Sequence, residues 1–459
     1  MSTLADRLRD VIRPPGSHPA AVAQGFSPAP GAGLKACATG ALDADDTNSL
    51  QSVLGGEWLQ RDAASCFVVE TRRAPSSSHG HDAVGTLAAR LAGAAADAPL
   101  VSGVTAAAPF IFFDLETTGL SGGAGTYAFL VGCGWFDDGG GFVTRQYLLT
   151  RIADERGLLT LVAGELARAG VLVSFNGKSF DAPMLETRYL YHRLEWAAAR
   201  LPHLDMLHVA RRFWRSGTAV AADAATAGSS CSLIALERQP LGTRRQSDVH
   251  GFEIPARYFH FVRTGDARPL QIVFEHNRLD LLSLAALTAR ALHLVRMGPE
   301  QAADPREALA LGWIYARAGL DARGRQAYER AVDLCRRTRN SASAAASASS
   351  APSASSAIYV EALRSLALML RRSRSYAQAA GCWRQILDVR ECPRHIAREA
   401  SAALAIHHEH RVRDFVAAKA FAVRSLEHGT HQGWRDAVRH RVARLDQKMS
   451  VAVQGALLD

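Results

Sequence analysis

The pattern of apolar and polar positions changes character twice along the chain. Up to about residue 50, Pro, Ala, Gly and Ser interrupt every run (Pro14-Pro15-Gly16, Pro28-Ala29-Pro30-Gly31), and only residues 4–12 are patterned like a short helix. This composition predicts a disordered lead. Residues 51–105 read as an accessory segment with one strand-like run, Cys66-Phe67-Val68-Val69-Glu70. From residue 106 to about 296, compact apolar runs at 110–115, 127–136, 142–149 and 171–175 predict strands. Helical spacing appears over 154–168 and 179–191. Hairpin strands followed by a β-α alternation predict an α/β domain, a mixed sheet flanked by helices.

Beyond residue 300 the pattern is helical only. Residues 310–332, 365–387 and 403–426 can be laid over one another, each reading as helix-turn-helix. Ala327-Tyr328, Cys382-Trp383 and Ala420-Phe421 fall at similar points, a small-plus-aromatic pairing that resembles tetratricopeptide repeats. Leu311-Gly312 and Tyr315 stand in the arrangement of that repeat in the first unit only. The expected repeat region spans 300–450 and is interrupted at 340–357 by a Ser/Ala-rich stretch, predicted flexible because almost no side chain there can anchor it.

Composition refines this picture. A 459-residue chain with 48% hydrophobic and 21% charged residues suits a globular protein of two or three domains. The seven cysteines are odd in number and contain no C-x-x-C pair, so neither a disulfide framework nor a zinc ribbon is indicated, and a cytoplasmic setting is expected. No run approaches the roughly 20 apolar residues of a membrane span. The net charge is +9, yet from Arg296 onward 26 Lys and Arg face 16 Asp and Glu, while the preceding part has 27 against 28. All the net basicity is C-terminal, which suits a nucleic acid held by its phosphates.

The chemistry concentrates at the end of the first apolar run, Phe110-Ile111-Phe112-Phe113-Asp114-Leu115-Glu116-Thr117-Thr118-Gly119-Leu120. Strand side chains alternate faces, so Asp114 and Glu116 project from the same one. Two carboxylates side by side repel each other, and a divalent cation is the usual means of neutralising them. Asp181 follows a strand that ends in Asn176-Gly177-Lys178, where ligand positions cluster in such sheets. His276 and Asp280, four apart in a helical pattern, share a face.

In these residues the sequence resembles the DEDD superfamily of 3′-5′ exonucleases, whose ribonuclease H-like fold carries an Asp-x-Glu pair on its first strand and two later aspartates. The fuller pattern resembles the YprB-type ribonuclease H-like domain, over about residues 108–295: Asn176 to Asp181, Leu204-Asp205-Met206-Leu207-His208, His250-Gly251-Phe252-Glu253-Ile254-Pro255, and His276 to Asp280. The resemblance implies Asp114, Glu116, Asp181 and Asp280 as ligands of two Mg²⁺ or Mn²⁺ ions and hydrolysis of phosphodiesters by a two-metal-ion mechanism. Thr117, Asn176 and Lys178 are expected to contact the substrate. One departure concerns the general base. The histidine branch of that superfamily places its histidine five residues before the last aspartate, and the tyrosine branch its tyrosine four before. Here His276 stands at the tyrosine spacing, and base catalysis remains its expected role.

Other features carry simpler expectations. Asp205 reads as a helix cap or outer partner rather than a ligand. The glycine-rich turn 119–125 reads as a hairpin connection, since no Gly-Lys-Ser/Thr follows. His407, His408 and His410 are expected at the surface, and Trp313, Tyr328 and Trp383 in the repeat core. Two alternatives to the nuclease stay open: a nucleic-acid-binding protein of weak turnover, and a scaffold whose repeats recruit a protein partner.

Overall fold

The computed structural model describes residues 50–119, 125–215, 231–343, 354–390, 392–427 and 432–456. The expected disordered lead up to residue 49, most of the glycine-rich turn (120–124) and residues 344–353 of the Ser/Ala stretch lie outside the described residues.

Among the described residues, seven strands build one sheet. In chain order the strands are β1 (Glu57–Arg61), β2 (Ala64–Arg73), β3 (Ser78–His79), β4 (Asp82–Ala83), β5 (Phe110–Thr117), β6 (Ala128–Phe136), β7 (Phe142–Leu148), β8 (Val171–Ser174) and β9 (His203–Asp205). The order across the sheet is β1-β2-β7-β6-β5-β8-β9, with β3 and β4 forming a separate two-stranded ribbon. β5 pairs antiparallel with β6 and parallel with β8, so the meander and the β-α part meet on β5. The accessory segment is continuous with this sheet: β2 pairs with β7 from Phe67↔Leu148 to Arg73↔Phe142 and extends the meander outward.

Helices cover both faces. Among the described residues the longer ones are α1 (Val84–Leu91), α2 (Glu155–Leu166), α3 (Asp181–Tyr191), α4 (Met206–Trp214), α5 (Ile254–Thr264) and α6 (Gln271–Met297). Strand alternation sorts β5 between two cores. Phe110 and Phe112 join α1, α4 and α6 on one face, while Ile111, Phe113 and Leu115 join α2, α3 and α5 on the other. Asp114 and Glu116 follow the parity of Phe110 and Phe112 and so belong to the α6 face.

Among the described residues seven further α-helices follow: α7 (Pro305–Arg317), α8 (Asp321–Ser343), α9 (Ala354–Arg372), α10 (Tyr376–Leu387), α11 (Arg394–His407), α12 (Phe415–Glu427) and α13 (Gln432–Ala456). The three segments matched in the sequence each straddle one helix pair. Their packing departs from the repeat expectation in detail. Tyr328 and Trp383 are buried, but Trp313 is 39% exposed and donates Nε1–H to Ser365 Oγ at 3.3 Å. In the third pair Ala418 and Ala422 are the buried small residues and Ala420 is exposed, because the turn before α12 shifts the inward face by two positions. His408 is also more enclosed than expected, at 9% exposure, with its ring 5.4 Å from that of Phe421. Among the described residues, no helix is long and apolar enough to cross a membrane.

The helical region is fused to the sheet domain rather than tethered to it. From Leu281 to Val295 nearly every residue of α6 is buried, as expected of a helix packed on more than one side. One core runs from β5 and α1 through α6 to Leu404 of α11. Buried Glu307 of α7 closes the junction, accepting from Trp214 Nε1 at 2.9 Å and pairing with Arg290 Nη2 at 2.7 Å. Tyr315 donates its hydroxyl to the Val295 carbonyl at 2.7 Å. A chain ending at residue 299 therefore uncovers the α4 and α6 side of this core. Urea unfolding should show it less stable than the full chain by at least about 3 kcal/mol, the burial of roughly two large side chains. An unchanged midpoint would contradict the shared core.

Candidate functional site

β5 delivers its two acids to the sheet end and then breaks. Its register with β6 shifts between Glu116 and Thr117, and the hydroxyl of Thr117 donates to the Gly119 carbonyl at 3.0 Å. Thr118 closes the same turn, its Oγ1 accepting from the Tyr127 amide at 2.9 Å. Asp181 arrives from the other side as the first residue of α3. That helix is held by the buried ion pair of Arg188 with Glu155, to which His192 also bonds at 2.7 Å. The connection before it is tight. Asn176 adopts φ +67°, and a Cβ on Gly177 would lie 2.5 Å from Ser174 Oγ and 3.1 Å from Asp181 Oδ2.

Asp205 fixes that connection. Its Oδ1 accepts from the amides of Asn176 at 2.8 Å and Leu207 at 3.0 Å, and its Oδ2 from the Lys178 amide at 3.2 Å. It caps α4 and positions the Asp181 approach, in line with the capping expectation. The Lys178 side chain is exposed.

The fourth acid comes with α6, which lies across the sheet end. Asp114, Gly132 and Gln146 sit side by side on three adjacent strands. The missing side chain at Gly132 opens a slot that Asn277 of α6 fills; a Cβ there would meet Asn277 Oδ1 at 2.2 Å. Asn277 donates Nδ2–H to Asp114 Oδ2 at 2.8 Å, and its Oδ1 accepts from Gln146 Nε2 at 2.8 Å. Gln146 Nε2 also donates to the Phe274 carbonyl at 2.9 Å. Both amides are fully buried. This relay sets where His276 and Asp280 stand over the strand.

His276 places Nε2 3.4 Å from Asp280 Oδ2 and 4.0 Å from Glu116 Oε1. Its Nδ1 lies 2.5 Å from Asp248 Oδ1. Nδ1–H therefore donates to Asp248, and the 3.1 Å approach of Arg245 Nη1 to the same nitrogen is a contact between two donors rather than a bond. Arg245 is the central cation. Its Nη2 bonds Asp280 and also Glu237 Oε1 at 2.6 Å, its Nε bonds Glu237 Oε2 at 2.9 Å, and its side chain is only 5% exposed. Ser283 donates to Glu237 at 2.6 Å, with His79 3.0 Å behind it. Burial pushes the His79 imidazole down to about 4, so it serves this network neutral.

The acids act on one another. Burial, then Asp280, Glu116 and Asp181, hold the Asp114 carboxyl well above the usual range, against the hydrogen bond from Asn277. Burial, then Asp280 and Asp181, do the same to Glu116. Burial and Asp205 push Asp181 up to about 7. Asp280 is raised chiefly by burial, with His276 and Arg245 opposing. For Asp248 burial also pushes upward, but His276 and Arg245 outweigh it and the carboxyl sits low.

Asp114, Glu116, Asp181 and Asp280 thus lie within one another's field, with His276 among them. Thr117 closes the turn beside them, while Asn176 and Lys178 meet the site through backbone bonds to Asp205. Among the described residues no donor reaches the carboxylates of Glu116 and Asp181, and no three His, Cys, Asp or Glu side chains close into a ready-made ligand shell. The donor chemistry nevertheless fits a hard divalent cation: all-oxygen, buried, and short of positive charge. Arg245, Asp248, Glu237, Gln146 and Asn277 escape sequence reading. Only Asn277 leaves a signal there, a polar residue on the apolar stripe of Val273 and Leu281.

Comparison with known proteins agrees with this architecture. Residues 111–292 match a family model of the RNase_H superfamily. The chain is also 28% identical over 349 residues to a Bacillus subtilis (strain 168) protein known as uncharacterized protein YprB, covering 74% of this chain and 75% of that one. This similarity extends well beyond the span of the family match.

Raised carboxyl values have a consequence for stability. A buried acid whose folded value exceeds its unfolded one binds more protons when folded, so its contribution turns unfavourable as pH rises through the unfolded value. At pH 7 in chelator, Asp114→Asn should therefore be more stable than the wild-type chain, by about 1 kcal/mol. Divalent cation should raise the unfolding midpoint of the wild type more than that of the variant. A less stable variant in chelator would show that the Asp114 charge is satisfied within the fold.

Proposed function

We propose that this chain, whose residues 111–292 match the RNase_H superfamily and are fused to helical hairpins, is a metal-dependent nuclease that hydrolyses phosphodiester bonds of nucleic acid from a 3′ end. The observation that carries this reading is the crowding of Asp114, Glu116, Asp181 and Asp280 in one buried place, where burial first and then the neighbouring acids raise the Asp114 carboxyl. On this reading the four carboxylates hold two Mg²⁺ or Mn²⁺ ions, which when bound acidify an attacking water and offset charge on the phosphate.

The remaining work falls to the chain's own groups. With Nδ1–H donated to Asp248, His276 keeps Nε2 turned toward Glu116 and Asp280, where it can accept the proton of an attacking water. The four-residue spacing to Asp280 serves because Nε2 faces that acid from the preceding helical turn. Arg245 orients Asp280 and Asp248 together. Lys178 offers an exposed ammonium to a phosphate, and Thr117 and Asn176 line the approach. The basic C-terminal region adds charge for the strand's phosphates, and its hairpins offer faces for a protein partner. The lack of a disulfide pattern in the sequence agrees with a cytoplasmic enzyme.

The test is incubation of end-labelled single-stranded DNA and RNA with the purified protein in Mn²⁺, Mg²⁺ or chelator. Stepwise shortening from the 3′ end should appear only with metal. It should fall at least about 100-fold in Asp114→Ala, beyond the loss typical of an outer partner. Metal-independent cleavage, or cleavage undiminished in the variant, would refute the assignment.

A further inference from the structure

The segment that carries Asp248 into the site continues at once into an exposed aromatic pair. The His250 and Phe252 rings lie parallel, 5.5 Å between centroids and 9° between planes. Phe252 is 78% exposed, well beyond what a phenylalanine in a packed domain shows.

The backbone imposes this exposure. Val249, at 3%, and Ile254, at 2%, are buried on either side. The Glu253 amide donates to the His250 carbonyl at 2.8 Å and closes the turn between them, and α5 begins at Ile254 with Pro255 in its first turn. With both ends pinned, the Phe252 ring has no route into the core. It faces water with one side against an imidazole. A lone exposed apolar residue needs no explanation. A ring pre-stacked on another, held outward by a fixed turn and joined by four residues to an acid of the site, is a different arrangement.

We propose that the His250–Phe252 pair is a stacking platform for a nucleobase of the substrate strand, near the phosphate held at the carboxylates. The inference rests on the nuclease reading for the identity of the strand. Four residues of chain span at most about 14 Å, so the platform lies within that distance of the Asp248 backbone. A flat ring face accepts any base, because every base presents a π face. Parallel stacking on His250 holds the phenyl plane in place, so little side-chain freedom is lost when a base settles on it. Phe180, 60% exposed, immediately precedes Asp181 and is open to a second base.

Fluorescence anisotropy tests the platform by the bases of the probe rather than its charge. A labelled thymidine decamer and an abasic decamer of equal length are titrated in Ca²⁺, which reads binding apart from turnover, with Mn²⁺ hydrolysis followed in parallel. The wild type should bind the thymidine strand about tenfold more tightly than the abasic one. Phe252→Ala should bind both at the weaker level, and Phe252→Trp should restore the difference. Hydrolysis together with an unchanged base preference in Phe252→Ala overturns the platform and leaves the nuclease standing. Base-dependent binding lost in Phe252→Ala without hydrolysis supports the platform and overturns the nuclease. Neither binding nor hydrolysis overturns both.

Discussion

The contact on which the site depends is that of Asn277 with Asp114 across the gap at Gly132. A helix lying over a sheet end has many settings of similar packing energy, and apolar contacts alone do not choose among them. A fully buried amide that must satisfy both of its ends does choose. Asn277 reaches an acid of β5 with its nitrogen and an amide of β7 with its oxygen, and both bonds close only at one height and rotation of α6. A buried amide left unpaired costs about 1–3 kcal/mol, enough to reject neighbouring settings. His276 and Asp280, one residue before and three after, are positioned as a consequence.

The same placement creates a charge imbalance that the fold does not remove. Asp114, Glu116, Asp181 and Asp280 crowd one another, and the Arg245 guanidinium beside them pairs with Asp280, Asp248 and buried Glu237. Arg245 neutralises Asp280 and Asp248, and His276 turns toward Glu116. The Asp114 and Asp181 side remains acidic, and burial there works against ionisation. Such an excess should leave the fold less stable than an isosteric amide variant, and bound divalent cations would offset the difference.

Much of this was legible in the sequence, for identifiable reasons. The Phe110 to Phe113 run announced a strand buried on both faces, and period two placed Asp114 and Glu116 together. Asp181 and Asp280 stood out because each follows or sits within a strongly patterned element. Arg245, Asp248 and Glu237 were silent because residues 237–253 have no periodicity, and their importance comes from tertiary contacts alone. Gln146 looked like one more polar residue in a strand; only the register beside Gly132 and Asp114 gives it a role. The fusion of the helical region was not read from the sequence: α6 is apolar on nearly all sides from Leu281 to Val295, but that pattern cannot say which element covers the second side. In the third helical pair the small-plus-aromatic match at Ala420 and Phe421 misplaced the inward face, since two-residue motifs do not fix helix rotation when the preceding turn changes length.

The charge imbalance and the proposed chemistry meet in one quantity, the number of divalent cations the chain takes up without substrate. Electron paramagnetic resonance of Mn²⁺ titrated into purified protein counts bound ions directly. The account predicts saturable uptake approaching two ions per chain, lost or sharply weakened in Asp280→Asn and unaffected by substitutions in α13. Absence of uptake, or uptake indifferent to Asp280, would contradict the view that these carboxylates were brought together to hold metal.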